Sequence, residues 1–73
     1  MEDKTMKNVD WVVIHIARSE AEAQRLEARL SEEGFLVRPR SRPQLNIWEL
    51  MVTRLESVPA RDFLIEILHE EER

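Results

Sequence analysis

The stretch WVVIHIARSEAEAQ, residues 11–24, decides the fold, because it changes from a strand pattern to a helix pattern within a few residues. In residues 11–17, apolar side chains occupy both alternating sets of positions, which is typical of a strand covered on both faces. One histidine, His15, lies among them. A chain of 73 residues buries only about 60% of its unfolded surface, so it has little material to cover both faces.

The helix that follows is defined by its two ends. Ser19 and Glu22 have the S-x-x-E spacing of a capping box, in which each side chain binds the backbone N–H of the other residue. Gly34, the only glycine, follows the helix and suits a left-handed C-terminal cap. Apolar residues recur between these ends at helical spacing, namely Ala23, Leu26 and Leu30.

The remaining elements follow in the order strand, strand, helix. Residues 35–38 (FLVR) predict a short second strand, and residues 46–55 (NIWELMVTRL) a third. The prolines of RPRSRPQ, residues 38–44, indicate a loop between them, and Pro59 begins a second helix. The order β-α-β-β-α predicts an α+β, ferredoxin-like fold without its last strand. We expect a three-stranded antiparallel sheet with two helices on one face.

Composition limits the function classes. The net charge of −4 argues against nucleic acid and membrane surfaces as partners, and no apolar run approaches the roughly 20 residues that span a bilayer. The absence of cysteine excludes disulfides and thiolate metal sites. Residues 1–9 predict a flexible leader without a signal peptide, residues 10–70 a single domain and residues 71–73 a charged end. We therefore expect a cytoplasmic protein.

The predicted sheet leaves one face and the edge of the first strand uncovered. Val12, Ile14 and Ile16 should face the helices, so the other alternate set faces outward. An apolar uncovered face with an open edge is typical of an association surface, here a homodimer or partner face. Its predicted members are Trp11, Val13, His15, Ile47 and Met51.

His15 permits two interpretations. Paired with Glu49 on the third strand, it would be suited to acid–base chemistry or metal binding. A structural cross-strand pair, or a histidine at a subunit contact, is the interpretation we favour, because no local motif supports a site. The chain also lacks a nucleophile motif and a glycine-rich phosphate loop. We expect no enzymatic activity, no metal and no cofactor.

Arginines alternate through RPRSRPQ. Arg38, Arg40 and Arg42, with Arg18 near the start of the first helix, would suit a small anionic ligand or an acidic protein partner. A solvated loop whose charges keep it out of the core is the alternative. Aromatic residues are not interleaved with these arginines, so stacking of single-stranded nucleic acid gains no support.

Residues 11–38 resemble the opening of a small bacterial family described as putative prokaryotic signal-transducing proteins, a domain of unknown function. The shared features are an apolar strand, E-A at the helix start, a leucine-bearing helix, then E-G and a strand. The matching positions are Val12 to Ala17, Glu20 to Ala23, Leu26, Leu30, Glu33, Gly34 and Val37. The later strand and helix, residues 46–68, fit in outline.

This resemblance implies a fold related to nitrogen-regulatory PII proteins and to ACT domains. In PII proteins the segment between the second and third strands contacts partners, and RPRSRPQLN has that place here, although it is much shorter. We therefore expect a non-enzymatic regulatory or binding module that transduces signals by protein–protein interaction. The alternative is an ACT-like sensor that binds a nucleotide or amino acid at a subunit interface.

Overall fold

The structure is a computed structural model that describes residues 10–72. The leader predicted for residues 1–9, and the terminal residue 73, lie outside the described part. The elements follow in the order β1 (Trp11–Ala17), α1 (Glu20–Glu32), β2 (Val37–Arg42), β3 (Ile47–Thr53) and α2 (Ser57–Glu71). Short 3₁₀ turns, Pro43–Leu45 and Arg54–Glu56, flank β3.

The three strands form one antiparallel sheet in the order β1-β3-β2, so β3 is central and both other strands are edges. Both helices contribute to the apolar core on one side of this sheet. The prediction of an α+β fold with a three-stranded antiparallel sheet and two helices is confirmed.

The core lies between the helices and one face of the sheet. Leu50 and Val52 of β3 are fully buried there, and Trp48 packs against the same cluster. The helices supply residues at helical spacing, and no polar side chain is buried among the described residues. This is the layer that the alternation of β3 predicts. The helical core residues are Ala23, Leu26, Leu30, Ala60, Leu64 and Ile67.

Helix α1 ends as its sequence predicts. Gly34 has φ +99°, a conformation that side chains rarely adopt. Its N–H donates to the carbonyl of Ser31 (2.9 Å), and the N–H of Phe35 donates to the carbonyl of Leu30 (3.2 Å). These two bonds are those of a Schellman motif, which satisfies carbonyl groups at the helix end and turns the chain toward β2.

The predicted loop over residues 38–44 is wrong for most of its length, because β2 extends to Arg42 and pairs with β3 throughout. Proline lacks an N–H, but an edge strand has a side without a partner, so Pro39 is accommodated. The arginines therefore lie on a strand. Their period of two directs all three to the face opposite the helices.

A second correction concerns β1. The pairing with β3 shifts between Val13 and His15, so that Ile14 is an extra residue in a β-bulge. Val13 pairs with Met51, but His15 pairs with Leu50 on the helix side. The predictions that His15 faces outward and Ile16 faces the helices are both wrong, since the bulge reverses the alternation.

Candidate functional site

The sheet face opposite the helices, here called the open face, contains an apolar strip and a basic strip. Along β1, Val13 and Ile16 are 36% and 44% exposed. Along β2 lie three arginines, and β3 contributes residues of both kinds between the two strips. The members of the open face are Trp11, Val13, Ile16, Arg38, Arg40, Arg42, Ile47, Glu49, Met51 and Thr53.

The basic strip is partly balanced by one carboxylate. Glu49 accepts hydrogen bonds at Oε1 from Arg40 Nε and Nη2, at 3.1 and 2.9 Å. Its Oε2 lies 3.3 Å from Arg42 Nε. The hydrogen bonds from Arg40, aided by the charge of Arg42 and opposed by desolvation, hold the pKa of Glu49 below its ordinary value. One negative charge is thus shared between two guanidinium groups.

The side chain of the third arginine, Arg38, reaches across the central strand β3. The guanidinium carbon of Arg38 lies 4.7 Å from the centroid of the Trp11 ring, the distance of a cation–π contact. Because these residues belong to the two edge strands, their side chains meet above β3. Met51, the partner of Arg38 in the pairing register, is only 6% exposed on this otherwise uncovered face. Met51 stands between Arg38 and Val13 in the pairing register, so side chains of both edge strands flank it.

His15 belongs to a different cluster at the start of α1. Its Nε2 lies 3.1 Å from Oε2 of Glu22, while Oε1 of the same carboxylate accepts the N–H of Arg18 at 3.0 Å. The bond from the Arg18 N–H is the main cause that lowers the pKa of Glu22, and His15 adds to it. His15 and Glu49 lie on opposite faces, so the acid–base pair considered from the sequence is absent.

The capping box is half confirmed. The Ser19 hydroxyl accepts the N–H of Glu22 at 3.1 Å, as predicted. The Glu22 carboxylate does not bind the N–H of Ser19. It accepts the backbone N–H of Arg18, one residue before Ser19, and it also lies within hydrogen-bond distance of His15 on β1. The histidine is therefore tied to a helix-cap carboxylate, and its side chain is 20% exposed.

Two of the four predicted anion-binding arginines meet at one end of the sheet. Arg18 and Arg42 line a concavity of about 550 Å³ between the β1–α1 connection and the β2–β3 hairpin. Arg38 and Arg40 do not line it. Ile47, predicted for the dimer or partner face, also lines it, and the remaining lining residues were not among the predicted site residues, namely Ser19, Ser41, Pro43, Asn46 and Trp48. These lining residues come together only through the folding of the sheet, which the sequence does not show. The R-x-R-x-R alternation of residues 38–42 was a local sign that this segment is a strand.

Of the five residues predicted from the sequence for a dimer or partner face, all except His15 lie on the open face. Trp11, Val13, Ile47 and Met51 lie on the open face, and Ile16 joins them because of the bulge. Glu49 also lies there and pairs with the arginines of β2. A bulge has no local signature in WVVIHIA, so this exchange of residues could not be read from the sequence.

Within residues 10–72, no group of histidine and acidic side chains is arranged to hold a metal ion. None of the helices in that range is both long and apolar enough to cross a membrane. Comparison of the chain with protein-family models, curated proteins and solved structures gave no match. The resemblance to the signal-transducing family therefore stays a prediction.

Proposed function

We propose that this chain is a small regulatory or binding module with a ferredoxin-like fold, which acts without catalysis by holding a protein partner on the open face. The observation that carries the proposal is that one face of the sheet presents both an exposed apolar strip, on β1, and an arginine strip, on β2. Exposed apolar groups favour burial by a partner. The arginines favour a partner whose binding surface carries negative charge.

The charge of the open face favours an acidic partner. Arg38, Arg40 and Arg42 stand against the single carboxylate of Glu49, so three positive charges less one negative charge leave an excess of two. The chain as a whole has a net charge of −4, so this face differs in sign from the rest. A segment that alternates acidic and apolar residues would match both strips.

A second copy of this chain is the other occupant expected from the sequence. A symmetric face-to-face homodimer would bring the positive excess of both copies into one interface. The bulge at Ile14 also interrupts the exposed edge of β1, and such bulges oppose continuous pairing between edges. Both arguments favour an acidic partner, and the oligomeric state is an outcome of the test below.

The test uses a synthetic peptide of alternating glutamate and valine, with a lysine–valine peptide as its control. Backbone NMR should show saturable shifts on β1 and β2 with the acidic peptide alone, and binding should weaken as salt rises. Ile16→Ser should weaken binding, whereas Ile65→Ser, a matched change at an exposed isoleucine of α2, should not.

Two results would contradict the proposal. Shifts on the helices, or equal shifts with both peptides, would remove the open face as an acidic-partner site. Sedimentation equilibrium that shows a stable dimer, with the open-face amides protected from hydrogen exchange, would make a second copy the occupant instead.

A further inference from the structure

We propose that the concavity between Arg18 and Arg42 is a binding site for a small molecule that carries a phosphate or carboxylate group. Its volume of about 550 Å³ is in the range of small-molecule sites. The site lies at the end of the sheet, beside α1 and the hairpin. It shares Arg42 and Ile47 with the open face, but its occupant would be a small molecule and not the protein partner proposed there.

The lining has the chemistry of an anion site. Both charged residues in it are arginines, and no acidic side chain lines it. Two hydroxyls and one amide add uncharged hydrogen-bond donors, from Ser19, Ser41 and Asn46. Asn46 is held in the left-handed conformation, φ 57°, by the tight hairpin turn, which fixes its position at the rim.

Among the described residues, neighbours neutralise the charges of these two arginines at most in part. Within the described residues, Arg18 makes no salt bridge, and its backbone N–H is the group that binds Glu22. Arg42 shares Glu49 with Arg40, and that carboxylate already accepts two hydrogen bonds from Arg40. Positive charge therefore remains at the concavity, and the oxygens of a phosphate or carboxylate match the donors of guanidinium groups.

The Nε of Arg42 is screened from solvent and lies 3.3 Å from Glu49 Oε2, so this atom belongs to the ion pair on the open face. The Arg42 side chain as a whole is 38% exposed and lines the concavity, so its terminal guanidinium nitrogens are the donors that an anion there would meet.

Trp48 makes the site testable, because it is one of the residues that line the concavity and the chain has only one other tryptophan, Trp11, at the far end of the sheet. In a Trp11→Phe background, fluorescence therefore reports on Trp48 alone. Inorganic phosphate, phenyl phosphate and acetate are titrated at constant ionic strength. We expect saturable changes, with the tightest binding for phenyl phosphate, whose ring can stack on the indole.

Arg18→Gln and Arg42→Gln should each weaken phosphate binding roughly tenfold or more, since each removes a charge-assisted contact. Arg61→Gln, at an exposed arginine of α2, should leave the affinity unchanged. A response that chloride reproduces, or that all three variants reduce equally, would show general screening and overturn the site. A full response in both Arg18→Gln and Arg42→Gln would place the anion elsewhere.

Discussion

The central strand β3 has two faces that exclude water by different means. On one side Leu50 and Val52 are fully buried beneath the helices, in a layer of apolar residues. On the other side Met51 is almost as well buried, with 6% exposed, although no helix covers it. There its register neighbours are Val13 of one edge strand and Arg38 of the other, and Arg38 also contacts the Trp11 ring.

This difference shows that burial on a small sheet does not require a second layer of backbone. Arginine has a long apolar stem, so Arg38 can cover Met51 while its charge stays at the Trp11 ring and in water. Across the sheet, Arg38 makes a cation–π contact with Trp11. Under the proposed function, a partner would displace this side-chain cover and leave the helix layer in place.

The largest effect should come from shortening Leu50. Leu50→Ala removes a fully buried side chain beneath two helices and should lower the free energy of unfolding by about 3 kcal/mol. Met51→Ala is the matched change on the open face, and we expect less than half that loss, because a flexible arginine can collapse into the space. Urea denaturation measures both. Equal losses would mean that the open face is packed as rigidly as the core.

An intermediate effect should appear in the pH dependence of stability. Glu22 and Glu49 have pKa values below the ordinary 4.5, so their stabilising contribution is present above that pH and is lost as the pH falls through their lowered values. Stability should therefore decrease on acidification, and Glu49→Gln and Glu22→Gln should each make the decrease shallower.

Urea denaturation between about pH 6 and about pH 3 checks this expectation for the two sides of the sheet. Glu66→Gln serves as the control, since Glu66 is exposed on α2 and makes no ion pair within residues 10–72. If Glu49→Gln had the same pH dependence as Glu66→Gln, the arginine pairing on the open face would contribute nothing to folding.

The smallest effect should come from the contact across β3. Arg38→Ala removes the cation–π contact with Trp11 and should cost about 0.5–1 kcal/mol of unfolding free energy. It should also expose Met51, so that side chain should oxidise faster with peroxide than in the unmodified chain. Arg61→Ala is the control, with no change in either property. Unchanged Met51 oxidation would show that Arg38 is not its cover.

Although it assigned most of β2 to a loop, the sequence predicted two helices, three strands and their order, and the face that β3 turns to the helices. It did so because Trp48, Leu50 and Val52 alternate with more polar positions, and because Gly34 has the backbone freedom that a helix end requires. The Arg18–Arg42 pair was included among the candidate residues, but its separation from Arg38 and Arg40 was not foreseen. That separation depends on which residues stand opposite each other across strands.

Local sequence thus determined what each segment is: a capped helix after β1, a Schellman end at Gly34, and an alternating third strand. The tertiary structure alone decided how the edge strands align with β3. Pairing with β3 continues β2 past Pro39 to Arg42. The bulge at Ile14 places His15 on the helix side of the sheet and Ile16 on the open face. The physical reason is that one inserted residue reverses every side chain beyond it, and only hydrogen bonds to the neighbouring strand select where that residue is inserted.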